Sequence, residues 1–180
     1  MRDTGMVRRI DELGRVVIPK EIRRTLRIKE GDPLEIYTDK DELVFKKFSP
    51  LEPYGVMAEN VANSIYQITE KPCIITDTDN VICVSGNSKD IVGKSISNDV
   101  ESLIKERESI IINREDGGKT FPIFKGEEVK TENMMVVPII SNGDCFGSVA
   151  IVSNEKSSKI KPEEIKVVQL GAMLLSNQFD

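Results

Sequence analysis

The sequence predicts an α+β protein of two domains, and three observations predict it. The stretch "SPLEPYG" (49–55) places two prolines and a glycine between patterned segments, as a domain break does. Before it, short β-branched runs surround a single short helical stripe; after it, two long helical patterns enclose a series of strands. Charge divides along the same line. Residues 1–29 carry nine Lys/Arg against four Asp/Glu, net +5, in a chain whose total is −5, so residues 30–180 carry −10. Such asymmetry suggests a basic reader of nucleic acid joined to an acidic body.

In the first domain, "TGMVRRID" and "RVVIPK" read as strands joined by a turn at "ELG", where Gly14 can supply a positive φ. Pro19 suits the first helical position, because its missing N–H would be unpaired there. The helix "PKEIRRTLRI" sets Ile22 and Leu26 on one face and is expected to end near Gly31. "PLEIYTD" and "ELVFKKF" form a hairpin across "DKDE". The order is β-β-α-β-β. A segment this short, with no disulfide or metal, makes a poor independent core, so an obligate dimer is expected.

The expected boundaries are 1–50 for this domain, 51–55 for a hinge and 56–180 for the second. Beyond the hinge, Ala58, Val61, Ala62, Ile65 and Ile68 keep helical spacing. "PCIITD" and "NVICVSG" are strands around a turn at "TDN"; "SKDIVGKSI" and "DVESLIKERES" look helical. "KTFPIF", "NMMVVPIIS" and "CFGSVAIVS" look like strands, the last two joined by the hairpin signal "NGD". "KPEEIKVVQLGAMLLSNQF" is a helix with proline and two glutamates in its first turn. It carries two stripes: Ile165, Val168, Ala172, Leu175 and Phe179, then Val167, Leu170 and Leu174. One stripe can cover the sheet. The other needs a partner, with Val61, Ile65 and Ile68 of this or another chain as candidates. The whole is a sensor-like α+β domain of about 125 residues, without internal repeats.

Composition excludes several functions. Apolar residues make up 39% and charged residues 31%, as in a soluble globular protein. No apolar run reaches the length of a membrane span, and "MRDTGMVRRID" lacks the apolar core of a signal peptide. The chain has no histidine, which removes Ser-His-Asp and Cys-His catalysis and His-ligated metals within one chain. Cys73, Cys83 and Cys145 are an odd set without C-x-x-C spacing, which favours a reducing compartment. Cys73 and Cys83 sit inside apolar strands and read as buried structural thiols, while Cys145 follows a turn without a visible activating base. Asp77 and Asp79 bracket a turn. "DGGKT" (116–120) lacks the G-x-x-x-x-G-K-[ST] spacing and reads as a loop.

The segment "TGMVRRIDELGRVVIPKEIRRTLRIKEGDPLEIYTDKDELVFKKF" closely resembles the N-terminal domain of AbrB-like transition-state regulators, almost without gaps. The resemblance implies a swapped-hairpin β-barrel dimer that binds double-stranded DNA. "VVPIISNGDCFGSVAIVS" resembles the strand pair of GAF domains, which implies a GAF-like fold for 56–180. Together they imply a regulator of sporulation genes in the forespore of spore-forming Gram-positive bacteria, cytoplasmic and nucleoid-associated. No catalytic residue, metal or cofactor is implied, apart from an unidentified small-molecule effector in the GAF half.

By resemblance the DNA-contacting positions are Arg8, Arg15, Arg23 and Arg24, with Arg9 where the family tends to be basic. Arginine forks suit phosphate oxygens and guanine edges. Strand alternation separates Arg8 from Arg9, and Arg27 reads as a surface charge. The competing account of Arg23, Arg24 and Arg27 is a helix whose basic end opposes its dipole, with Glu21 at its start. The family reads loosely defined, AT-rich sites, which suggests recognition of shape and deformability. Joining GAF domains through their helices would make a tetramer. Two rivals stand beside this reading. The same barrel occurs in toxin-neutralising proteins, and some GAF proteins reduce free methionine sulfoxide with cysteines.

Overall fold

The computed structural model describes residues 4–86 and 89–179. It divides into two compact units, with the break between Phe48 and Ser49.

In the first unit, helix α1 spans Lys20–Thr25, and strands β1 (Leu34–Asp39) and β2 (Glu42–Lys47) form the expected hairpin, paired from Leu34↔Lys47 to Asp39↔Glu42. Lys40, at φ 51°, makes its turn. Pro19 caps α1 from one position outside it rather than occupying its first turn. The helix also stops well short of Gly31. Arg27 turns left-handed (φ 54°), and the Ile28 N–H donates to Arg23 O at 2.8 Å, closing the end as a Schellman motif.

The first two expected strands are not strands in the single chain. Residues 4–10 and 16–19 have no ladder, although Asp11 N–H donates to Arg15 O at 3.0 Å across the turn. The reason is the absence of a surface to pack on. Val7 is 85% exposed, Leu13 75%, Val17 73% and Ile10 70%. Among the described residues of this unit none is buried. An unsupported two-stranded hairpin is marginal in water.

The second unit is a three-layer sandwich. Helices α2 (Gly55–Thr69) and α4 (Pro162–Ser176) cover one face of an antiparallel sheet; α3 (Asn98–Glu106) covers the other. The strands are β3 (Cys73–Thr76), β4 (Val81–Ser85), β5 (Ile110–Asn113), β6 (Asn133–Ser141) and β7 (Asp144–Ser153), ordered β4-β3-β7-β6-β5. Side chains alternate as a pleat requires. Met135, Val137, Ile139, Val149 and Ile151 face α2 and α4, while Met134, Val136, Ala150 and Val152 face α3. The "NGD" signal holds: Asn142 (φ 50°) and Gly143 (φ 87°) turn β6 into β7. Ser97 caps α3, its Oγ accepting from Val100 N–H at 3.1 Å.

Three expectations change here. "KTFPIF" is no strand; Pro122 has no N–H to give a ladder, and only an isolated bridge links Phe124 to Ile96, while Ile123 and Phe124 cap the α3-side core. The edge strand is instead β5, whose short apolar run follows α3 directly. Ser88 of "SKDIVGKSI" lies outside the described residues; the described part, 89–96, forms a 3₁₀ turn at Lys89–Ile91 and then returns to the sheet margin at Ser95 and Ile96. The expected hinge, 51–55, is part of the second unit. Leu51 is fully buried, Tyr54 OH donates to Gln178 O at 3.1 Å, and a 3₁₀ turn at Glu52–Tyr54 runs into α2.

The helix stripes are also reassigned. Val61 and Ile65 are spent within the chain, because Gly171 lets α4 approach α2 closely. A Cβ on Gly171 would lie 2.7 Å from Ile65 Cδ1 and 3.1 Å from Val61 Cγ1. Val168, Ala172 and Leu175 fill the core, whereas Ile68, Leu170 and Leu174 remain exposed.

A buried ion pair secures the entry to α4. Lys71 Nζ donates to Glu164 Oε1 at 2.6 Å, and both residues are almost fully buried. Glu164 Oε2 also accepts from Lys161 N–H at 2.8 Å, at the first turn of α4. Removing one partner leaves an uncompensated buried group, whereas replacing both removes the desolvation penalty too. Glu164→Gln is therefore expected to destabilise the second unit by about 3 kcal/mol or more. The double variant Lys71→Met/Glu164→Leu should lose less than the sum of the singles. Urea unfolding followed by circular dichroism measures both; additive losses would rule out the pairing.

Candidate nucleic-acid interface

The arginines lie in three adjoining segments of the first unit. Arg8 and Arg9 are on the extended segment before the turn, Arg15 closes the turn, and Arg23 and Arg24 lie on α1. All five are exposed, as is Arg27. Arg8 Nη1 donates to the neighbouring Val7 O at 3.1 Å, a bond that leaves most of its fork to solvent. Arg23 and Arg24 are consecutive helix residues, so their side chains diverge by about 100° around the axis. Arg27 is separated from them by its left-handed backbone.

The turn itself is built on Asp11. Asp11 Oδ1 accepts from Leu13 N–H (2.9 Å) and Arg15 N–H (2.8 Å), and Gly14 N–H returns to Asp11 O at 3.0 Å. Gly14 takes φ 75°, as the turn requires of it. Asp11 Oδ2 accepts from Arg15 Nε at 2.8 Å. The Arg15 backbone N–H, then its guanidinium, hold the Asp11 carboxyl below the usual range. In sequence, Asp11 figures only as one of the acids that offset the arginines. Its spacing, an Asp four residues before an Arg across "ELG", is the signal that marks it.

The thiols show no activated chemistry. Cys73 and Cys83 are buried against the α2–α4 layer, and burial pushes both thiols up, Cys83 to about 12. Cys145 is half-buried, its Sγ donating to Gly147 O at 3.4 Å, and burial raises it as well. A thiolate nucleophile needs the opposite shift. Asp77 serves its turn, Oδ1 accepting from Asp79 N–H (2.7 Å) and Asn80 N–H (2.6 Å). "DGGKT" is a loop, followed by irregular chain rather than the expected strand. No helix is long and apolar enough to cross a membrane among the described residues.

Comparisons with known proteins agree with this division. Residues 54–180 match the family described as stage V sporulation protein T C-terminal, transcription factor. Residues 7–47 match antidote-toxin recognition MazE, bacterial antitoxin. Stage V sporulation protein T of Bacillus subtilis (strain 168) is 43% identical over 182 residues, spanning 100% of this chain and 99% of that protein. The transition state regulatory protein AbrB of the same organism is 60% identical over 50 residues, 28% of this chain and 52% of that protein. Among solved structures, the GAF domain of an Acinetobacter phosphoenolpyruvate-protein phosphotransferase overlays with a TM-score of 0.58 at 15% identity, over 68% of this chain and 80% of its own. The type II free methionine-R-sulfoxide reductase of Thermoplasma acidophilum gives 0.55 at 12% identity, over 71% and 93%. These two likenesses establish a GAF fold for the second unit and no activity. With a match over its entire length and a family model covering the larger unit, the chain belongs to the stage V sporulation protein T family of transcription factors.

Proposed function

We propose that the chain binds double-stranded DNA through a dimer of its first unit, that Arg8, Arg9, Arg15, Arg23 and Arg24 make the contacts, and that the GAF unit modulates binding through assembly. It is a regulator rather than an enzyme, acting at the nucleoid in the cytoplasm, in the forespore. The observation that carries this reading is the conjunction in one small unit of exposed arginines and exposed apolar side chains. The apolar side chains need a second copy; the arginines need an anion. A two-fold dimer provides the first and doubles the array offered to the second. The antitoxin reading leaves the GAF fold of the second unit without a role. The reductase reading requires a reactive thiol, and burial raises all three.

The helical layer of the second unit supports the assembly route. Val56 (76% exposed) and Ile68 (66%) on α2, and Met173 (61%), Leu170 (56%) and Leu174 (43%) on α4, are open to solvent. Two such layers, face to face, would make a four-helix contact joining dimers into a tetramer. An effector that favours one packing of this bundle would bias the paired DNA-binding heads, and a coupling of about 1–3 kcal/mol changes affinity from several-fold to over a hundredfold.

Replacing Arg15 or Arg23 with alanine should flatten the dependence of operator affinity on salt by about one ion per site, hence about two per dimer. Wild-type affinity across a salt series would reject the assignment. If the first unit needs two copies to fold, its thermal transition in the full chain should rise with protein concentration. A transition independent of concentration, in a species of monomer mass, would count against the dimer. For the GAF contact, Leu174→Asp should halve the particle mass in light scattering and weaken operator binding. A folded variant of wild-type mass and affinity would remove the assembly route.

A further inference from the structure

Resting on the DNA-binding reading above, the geometry points to Asp11 as a positioning residue that sets the plane of the Arg15 guanidinium for DNA. A surface ion pair four residues apart normally contributes little. This one differs in what else its carboxylate does. Asp11 Oδ1 is fixed by two backbone N–H groups of the turn, those of Leu13 and Arg15, so the carboxylate cannot rotate freely. Its other oxygen then meets Arg15 Nε at 2.8 Å. Binding through Nε leaves the end of the fork, formed by the outer N–H groups of the two terminal nitrogens, unengaged by Asp11, and among the described residues none accepts from these nitrogens. The Arg15 side chain is 71% exposed, against 43% for Asp11. The carboxylate thus backs the guanidinium while its far edge, the edge suited to bidentate contact, faces solvent.

Two consequences follow for recognition. A fork held in one orientation loses less freedom on binding, and a fixed plane distinguishes a matching groove from an arbitrary phosphate. The Asp11 charge also sits beside the contact, where it repels phosphates docked in other registers. Asp11 therefore lowers sequence-independent affinity while raising affinity for the operator, the reverse of what a structural turn residue would do.

The test uses the full-length protein with an operator fragment and a G·C-rich control of equal length, at one salt concentration. Asp11→Asn keeps an oxygen for the two turn N–H groups and removes the acceptor for Nε. It should lower the operator-to-control affinity ratio by about five-fold or more, the scale of one oriented side-chain contact, with control affinity equal or higher. In an Arg15→Ala background the same change should leave the ratio unaltered, because the residue acts through Arg15. An unaltered ratio for Asp11→Asn alone overturns the proposal, as does an equal fall in the Arg15→Ala background. Should Asp11→Asn fail to fold, Asp11→Ser retains a turn acceptor too short to reach Nε and is judged by the same outcomes. If Arg15→Ala alone binds operator like wild type, the DNA-contact reading fails instead, so the two failures are separable.

Discussion

A unit of fewer than 50 residues cannot enclose a hydrophobic core by itself, and the rest of this architecture answers to that constraint. Every described residue of the first unit keeps some contact with solvent. Cross-strand pairs on both sides of the β1–β2 hairpin are apolar, Ile36↔Phe45 on one and Tyr37↔Val44 on the other, so the hairpin has no dispensable face. Burying even a few such side chains is worth about 1.5–3 kcal/mol each, comparable with the whole stability of a small domain. The segments on either side of the Asp11 turn carry further exposed apolar side chains, Val7, Ile10 and Val17 among them.

The same constraint places the charge. Dimer formation would use the apolar surface of the first unit, and its arginines, on the extended segment, the turn and the helix, are exposed. The acidic excess belongs to the remainder of the chain, much of it on helix and loop surfaces of the GAF unit. Fields of opposite sign on two units of one protein confine contact with a polyanion to the basic one.

The segment after the boundary is built into the second unit. The chain leaving the first unit is secured at once to the second: Ser49 Oγ donates to Asp77 Oδ2 at 2.8 Å, and Leu51 is fully buried. Tyr54 meets the Phe179 ring edge-on at 5.5 Å, and Phe179 lies against Phe146 at 4.2 Å. The residues immediately after the boundary therefore belong to the packing of the second unit, beside the end of α4. Proline and glycine in "SPLEPYG" mark the domain break, and Leu51 and Tyr54 between them are packed into the second unit.

Local chemistry was legible in the sequence. The pleated alternation of β6 and β7, the "NGD" turn, the glutamates opening α4, the core stripe of α4 and the concentration of arginine before residue 30 all depend on residues close in the chain, and each appears where its pattern implies. What the sequence left open was decided by contacts between distant residues. Whether residues 4–10 form a strand depends on a partner edge, not on their own propensity. β5 wins the sheet edge over "KTFPIF" because a proline-free run lies beside β6, while Ile123 and Phe124 are drawn into the core. Gly171 determines which stripe of α2 stays available, since only at that separation do Val61 and Ile65 reach α4. Asp11 and Glu164 are ordinary acids by composition; one backs an arginine and the other holds a buried lysine because folding sets a carboxylate within about 3 Å of each, a distance at which orientation and desolvation outweigh residue type.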